Sequence, residues 1–305
     1  MYHKALIILL VFVASNAFSQ TKFIERFTVR KSFQSKADLA APAHITFSQP
    51  KEKSASWMID AALGYSLLNH HNTLMSVMPF VEYHRNTLID KAQNHWQVGI
   101  SSEWQINNLS QKSWSPVFVY ALRYSSNQIQ QHRAFQGNVY VTPIFKKKDM
   151  NPKYFWIPNH VVGLGNKFRF VYTPYLGFES ENRINTESYF SYGNIYRAYA
   201  RISSDLSFFP TNNSLKGKFD LNLDWQYRYN IHESAQDISV QAHQYFTTSF
   251  NYTFFTSADA RKIVKIGFDY TTGEDPTKGF EKQSFYAILL KVKLSIAPQT
   301  VNIVL

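Results

Sequence analysis

Apolar and polar residues alternate along much of this chain with a period of two. From Lys218 to Tyr229 the odd positions are Phe, Leu, Leu, Trp, Tyr and Tyr, and the even positions are Lys, Asp, Asn, Asp, Gln and Arg. Side chains alternate across a β-strand, so this stretch builds a strand with one apolar and one strongly polar face. It is also long, at the length of a tilted strand that crosses a bilayer rather than the five or six residues usual in soluble sheets. The same pattern sets Trp57, Ile59, Ala61, Leu63, Tyr65 and Leu67 against Asp60 and Gly64. It also sets Trp96, Val98, Ile100, Trp104 and Ile106 against His95, Gln97 and Glu103.

Further segments repeat it with Arg123, Arg169, Arg197, Arg201 and Asp205 on the polar face. Beyond the opening strand come Lys265 and Asp269, then Lys291 and Lys293. Counted from Lys22 to Ile296, the pattern predicts about twelve strands (10–14), an even number as single-chain bacterial barrels require. Turns such as Pro210-Thr211-Asn212-Asn213 separate them. Two long connections interrupt the rhythm, at 34–55 and 146–166. The second holds Lys146-Lys147-Lys148 and the apolar Tyr154-Phe155-Trp156. It is long where alternation calls for a short inner turn, which predicts either an excursion or an unrecognised hairpin.

The N-terminus changes the picture. Met1-Tyr2-His3-Lys4 leads into an apolar run and then Ala17-Phe18-Ser19, the pattern of a cleaved secretory leader over 1–19, with residues 20–305 forming the barrel. No run of eighteen apolar residues comes after it, so spanning helices are not predicted. Aromatics make up 16 % of the chain, with 25 Phe and 19 Tyr, and there is no Cys, which excludes disulfides and thiolate chemistry.

On the dyad strands Trp57–Leu67, Asn94–Ile106 and Lys218–Tyr229, the chain resembles bacterial (Gram-negative) outer-membrane β-barrel proteins over roughly 22–296. The resemblance implies an all-β fold, a single-chain antiparallel transmembrane β-barrel in the outer membrane, with outer-membrane lipids as its surroundings. It is a resemblance to a class and carries no family fingerprint. Members usually end in an aromatic residue, whereas this chain ends Asn302-Ile303-Val304-Leu305.

Such a barrel turns its polar faces into the lumen. The expected lumen-lining charges are Asp60, Glu103, Arg123, Arg169, Arg197, Arg201, Asp205, Asp220, Asp224, Arg228, Lys265, Asp269, Lys291 and Lys293. The whole chain carries +11, and loss of the leader with Lys4 leaves about +10, which favours small anionic solutes and argues for a porin-like channel with a mixed-charge, slightly basic lumen. The alternative is a structural or docking barrel whose charges pair and plug the lumen, with 146–166 as the contact for a protein partner. A third reading is lipid hydrolysis. Outer-membrane phospholipases carry an Asn-His-x-Ser-Asn-Gly-like setting, but Asn69-His70, Asn94-His95 and Asn159-His160 lack its Ser-Asn-Gly part. His243 and Ser249 share a face about 20 Å apart, too far for proton transfer. No complete catalytic motif, cofactor loop or metal spacing is present, and nothing in the pattern suggests nucleic acid.

Overall fold

Among the described residues fourteen strands build a wall of twelve positions that closes on itself. The computed structural model describes residues 26–33, 41–48, 56–68, 74–87, 93–129, 131–186, 192–235, 241–257, 262–274 and 282–295. The expected leader over 1–19 lies outside them. In chain order the strands are β1 Phe27–Arg30, β2 Ala43–Ser48, β3 Ser56–Tyr65, β4 Met75–Asn86, β5 Gln93–Gln105, β6 Trp114–Asn127 and β7 His132–Phe145. They continue with β8 Val162–Leu164, β9 Phe168–Thr186, β10 Gly193–Phe208, β11 Phe219–Glu233, β12 Ala242–Thr256, β13 Lys262–Glu274 and β14 Lys282–Ser295. Neighbours pair antiparallel around one sheet, and β14 returns to pair with β1 and β2, so the sheet is a closed barrel. No α-helix occurs among the described residues.

The wall is inside-out relative to a soluble protein. Leu122, Leu176, Phe178 and Ile288 are each more than 60 % exposed, while Glu82, His84, Asp60 and Arg228 are at most 2 % exposed. An apolar exterior around a polar interior is the pattern of a membrane barrel, where closure also leaves no sheet edge unpaired. The opening strand emerges as β11, with Leu223, Trp225 and Tyr229 outside and Asp220, Gln226, Arg228 and Asn230 buried inside. The strands are long enough for a tilted strand to cross a bilayer, which takes about 9–11 residues, and β9 reaches nineteen.

Three stretches depart from expectation. The long loop expected over 34–55 contains a wall strand, β2, which pairs with β3 and β14. Pro42 and Pro50 at its borders disguise it as a loop. Residues 179–193, whose charged and polar run reads as a loop in the sequence, are strand as far as Thr186, where β9 ends. The alternation that begins at Lys22 suggests a first strand through Phe33; its start lies outside the described residues, and the strand ends at Arg30, where the chain leaves the wall.

The 146–167 connection turns out to complete the wall. Pairing between β7 and β9 stops at Val141↔Leu176, although β7 continues to Phe145 and β9 begins at Phe168. The connection fills that gap. A 3₁₀ turn at Pro152–Tyr154 leads to β8, which pairs with the first residues of β9. Asn159, at φ 57°, bridges the two strands. Its backbone N–H donates to the Tyr172 carbonyl at 2.8 Å. Its side-chain amide donates to Thr142 Oγ1 at 2.9 Å and the Pro143 carbonyl at 2.7 Å, and its Oδ1 accepts from Thr173 Oγ1 at 2.7 Å. Buried backbone groups left without partners would cost several kcal/mol each, and these bonds satisfy the groups where β7 and β9 part.

Candidate functional site: the lumen and its inward segment

β1 and β2 share one wall position. Arg30 stands opposite Ala62 of β3, and His44 stands opposite Asp60, so the first strand advances fourteen residues while its neighbour advances two. The intervening chain leaves the wall at Arg30 and rejoins it at Ala43. The Lys31 N–H donates to the Ala41 carbonyl at 2.8 Å and closes the neck of this excursion.

Immediately after Arg30 the chain turns into the lumen. Phe33 is fully buried and stacks on Phe80, with ring centroids 5.1 Å apart. The pair sits in a small apolar island with Ala62, Ala121 and Met78. The Arg30 guanidinium lies 3.8 Å from the Phe33 ring centroid. Gly64 makes the insertion possible, because a Cβ there would lie 2.2 Å from the Phe33 ring.

Glu82 grips the segment. Its carboxylate accepts from the Phe33 N–H at 2.6 Å and from the Ser32 hydroxyl at 3.0 Å. It also lies 3.3 Å from His84 Nε2, whose Nδ1 is 2.8 Å from Asp60. Asp60 in turn meets His44 Nε2 at 2.7 Å. On the far side of Phe33, Ser101 Oγ donates to its carbonyl at 3.2 Å. Charge-assisted bonds of this kind are about twice as strong as neutral ones. A single chain of polar contacts thus runs from the inward segment back to the strand that carries it.

Across the lumen, β9 to β14 present a ladder of paired charges. Arg197 Nη1 donates to Glu181 at 2.9 Å, and Arg183 Nε donates to the same carboxylate at 2.7 Å. Arg228 donates to Glu179 at 2.8 Å and packs its guanidinium against the Tyr199 ring, and Glu179 also accepts from the Tyr140 hydroxyl at 2.5 Å. Arg201 donates to Asp224 at 2.6 Å. Lys265 and Asn251 both donate to Asp220, at 2.6 and 2.7 Å. Lys291 donates to Asp269, Asn251 and Ser249 at 2.7 to 3.0 Å. Gly267 leaves room for that reach, since a Cβ there would sit 2.7 Å from the Lys291 ammonium.

Between the inward segment and this ladder lies a chamber of about 340 Å³. Lys31, Ser32 and Pro42 bound it on one side, and Arg201, Asp224, Asp269 and Lys291 on the other. Its lining holds Lys31, Arg201, Lys265, Lys291 and Lys293 against Asp205, Asp224 and Asp269, so cations are in excess. A larger depression of about 690 Å³ lies on the outer face against Leu122, Phe135 and Tyr196. Its walls are mainly apolar, and it offers no comparable chemistry.

Of the fourteen charges picked from the sequence, nine join these contacts. Asp60 belongs to the histidine chain, and Arg197, Arg201, Asp220, Asp224, Arg228, Lys265, Asp269 and Lys291 to the ladder. Asp205 accepts from Asn222 at 2.6 Å beside the chamber. Lys293 lines the chamber itself. Arg123 sits apart, donating to Gln136 at 2.7 Å and to Asn138 at 3.2 Å. Glu103 is half-buried opposite Val119, and Arg169 is half-buried opposite Gly163 and Ser207. His243 meets Glu274 while the Ser249 hydroxyl accepts from Lys291, so the structure brings these two to different partners.

The sequence pattern alone did not pick out Glu82, His84, His44, Glu179, Glu181 and Arg183. Glu179, Glu181 and Arg183 continue the two-residue phase of Thr173 and Tyr175, a signal present in the sequence but overridden by assigning that stretch to a loop. No protein-family model matches the chain, and no curated protein matches its sequence.

Proposed function

We propose that this protein is a bacterial outer-membrane barrel that forms a small-solute channel, held shut at rest by the chain that turns inward after Arg30. The membrane-type wall supports the location. The observation that carries the closed-channel reading is the turn of Arg30–Phe33 into the lumen, with Glu82 gripping Ser32 and Phe33. A twelve-strand barrel is wider than the eight-strand barrels that side chains alone can fill. Here Ser32 and Phe33 take up part of the extra room, held by Glu82 rather than by wall pairing. The cation-rich chamber beside it favours small anions over cations, by the same electrostatics that sets selectivity in charged pores.

Removal of the segment tests the reading cleanly. Deleting residues 31–42 joins Arg30 to Ala43. Arg30 already pairs with Ala62 and His44 with Asp60, so the joined strand keeps one continuous register on β3. In planar bilayers the intact protein should be mostly silent, and the deletion variant should show stable conductance steps with anion preference. A freely conducting intact protein would overturn the shut state. A folded but silent deletion variant would favour the second reading, a structural barrel plugged by the paired ladder of β9–β14.

A further inference from the structure

The end of the barrel that carries Phe27 and Ser295 is strongly basic. Four of its five connections, at 66–74, 106–113, 146–167 and 209–218, hold eight lysines and one acid, Asp149, among the described residues, and the fifth, 257–261, adds Asp259 and Arg261 in sequence. Five of the lysines lie in 146–167. Lys146, Lys147, Lys148 and Lys153 are all exposed. Beside them Phe155 and Trp156 are 62 % and 60 % exposed.

The geometry points to a built foot on the outside of the wall. Tyr172 shares the outward face of β9 with Phe170 and Leu176, and its hydroxyl donates to the Trp156 carbonyl at 2.6 Å. That bond holds Trp156 on the outer, apolar flank. The Lys148 and Lys153 ammonium groups lie 4.6 and 4.8 Å from the centroid of the Tyr154 ring, so the lysines gather around the aromatic cluster. The Asn159 bridge and β8 fix the segment to the wall behind it.

We infer that this foot binds the headgroups of anionic phospholipids in the leaflet at the terminal end, with Phe155 and Trp156 entering the interface and the lysines facing lipid phosphates. Large aromatic rings concentrate at the membrane–water boundary, and basic clusters next to them select anionic lipids. The excess of eight lysines over one acid fits a densely anionic surface and not a neutral one. The inference rests on the membrane reading above, and the test separates the two.

The protein is refolded into phosphatidylcholine vesicles containing a fixed fraction of lipid brominated high on the acyl chain, either phosphatidylglycerol or phosphatidylcholine. Fluorescence is compared between the intact chain and Trp156→Phe, so that the difference reports Trp156. Folding is checked by heat-shift on a gel. Trp156 should be quenched several-fold more by brominated phosphatidylglycerol. The excess should vanish in the Lys146→Gln, Lys147→Gln, Lys148→Gln, Lys153→Gln variant and fade in high salt, as surface electrostatics does. Equal quenching by the two lipids would overturn headgroup selection. Quenching of the wall tryptophans Trp104 and Trp225 without Trp156 would overturn the foot but leave the membrane reading standing. Quenching of no tryptophan would overturn both.

Discussion

Replacing Glu82 with Ala should release the inward segment and little else. The carboxylate is fully buried and accepts from the Phe33 N–H at 2.6 Å and the Ser32 hydroxyl at 3.0 Å. Hydrogen bonds to a charged group contribute about 1.5–3 kcal/mol each, and the Phe33 N–H would be left buried without its acceptor. Breaking one side of a buried charged cluster costs about 3–5 kcal/mol. At about 1.4 kcal/mol per tenfold, the lower bound already raises local opening by about a hundredfold. The assay is amide hydrogen exchange in the folded barrel. The Phe33 amide should exchange about a hundredfold faster or more, while the amides of Asp224 and Thr247, paired across β11 and β12, keep their protection. Glu82→Gln keeps one acceptor oxygen and should fall between the two. Unchanged protection at Phe33 in Glu82→Ala would refute the grip. Equal loss of protection at β11 and β12 would show that Glu82 supports the whole barrel instead of the segment.

Other substitutions probe the wall, the ladder and the insertion. Leu122→Arg places a charge on a residue 68 % exposed on the outer face. A lipid-facing wall predicts a loss of about 2–4 kcal/mol near the bilayer midplane, read by urea unfolding in vesicles, whereas a water-facing wall predicts almost no effect. Arg228→Met leaves Glu179 without its guanidinium and should destabilise by about 3–5 kcal/mol, and the double change with Glu179→Met should recover most of it. Asn159→Ala removes three side-chain hydrogen bonds between β7 and β9 and should lower stability by about 2–4 kcal/mol in the same assay. Gly64→Val drives side-chain atoms into the Phe33 ring and should raise channel activity, an outcome checked by single-channel recording.

The physics of the pattern decides how much of the fold is legible in the sequence. β11 is readable because both faces are chemically pure, with outward aromatics and leucines alternating against inward charges and amides. β2 is hidden because six residues between prolines carry too few alternations to stand out. β4 is blurred because its lumen face mixes Met78 and Phe80 with Glu82 and His84. That mixture makes sense only once Phe33 is known to pack there. The pairing of Arg228 with Glu179, 49 positions away, depends on which strands become neighbours and on their register, which a period-two reading does not supply. The role of 146–167 is hidden for a related reason. Asn159 looks like any turn residue until β7 and β9 are seen to part.

The split first strand also bears on the order in which the barrel comes together. β14 meets it through two residue pairs at β1 and three at β2, against thirteen between β13 and β14. Among the described residues the joint that closes the cylinder is therefore its thinnest, and it should be the last to form and the first to part. Both feet of the inward segment stand in that same strand. The inward turn is thus anchored at the closing joint, so the same event that locks the first and last strands together fixes Ser32 and Phe33 inside the cylinder.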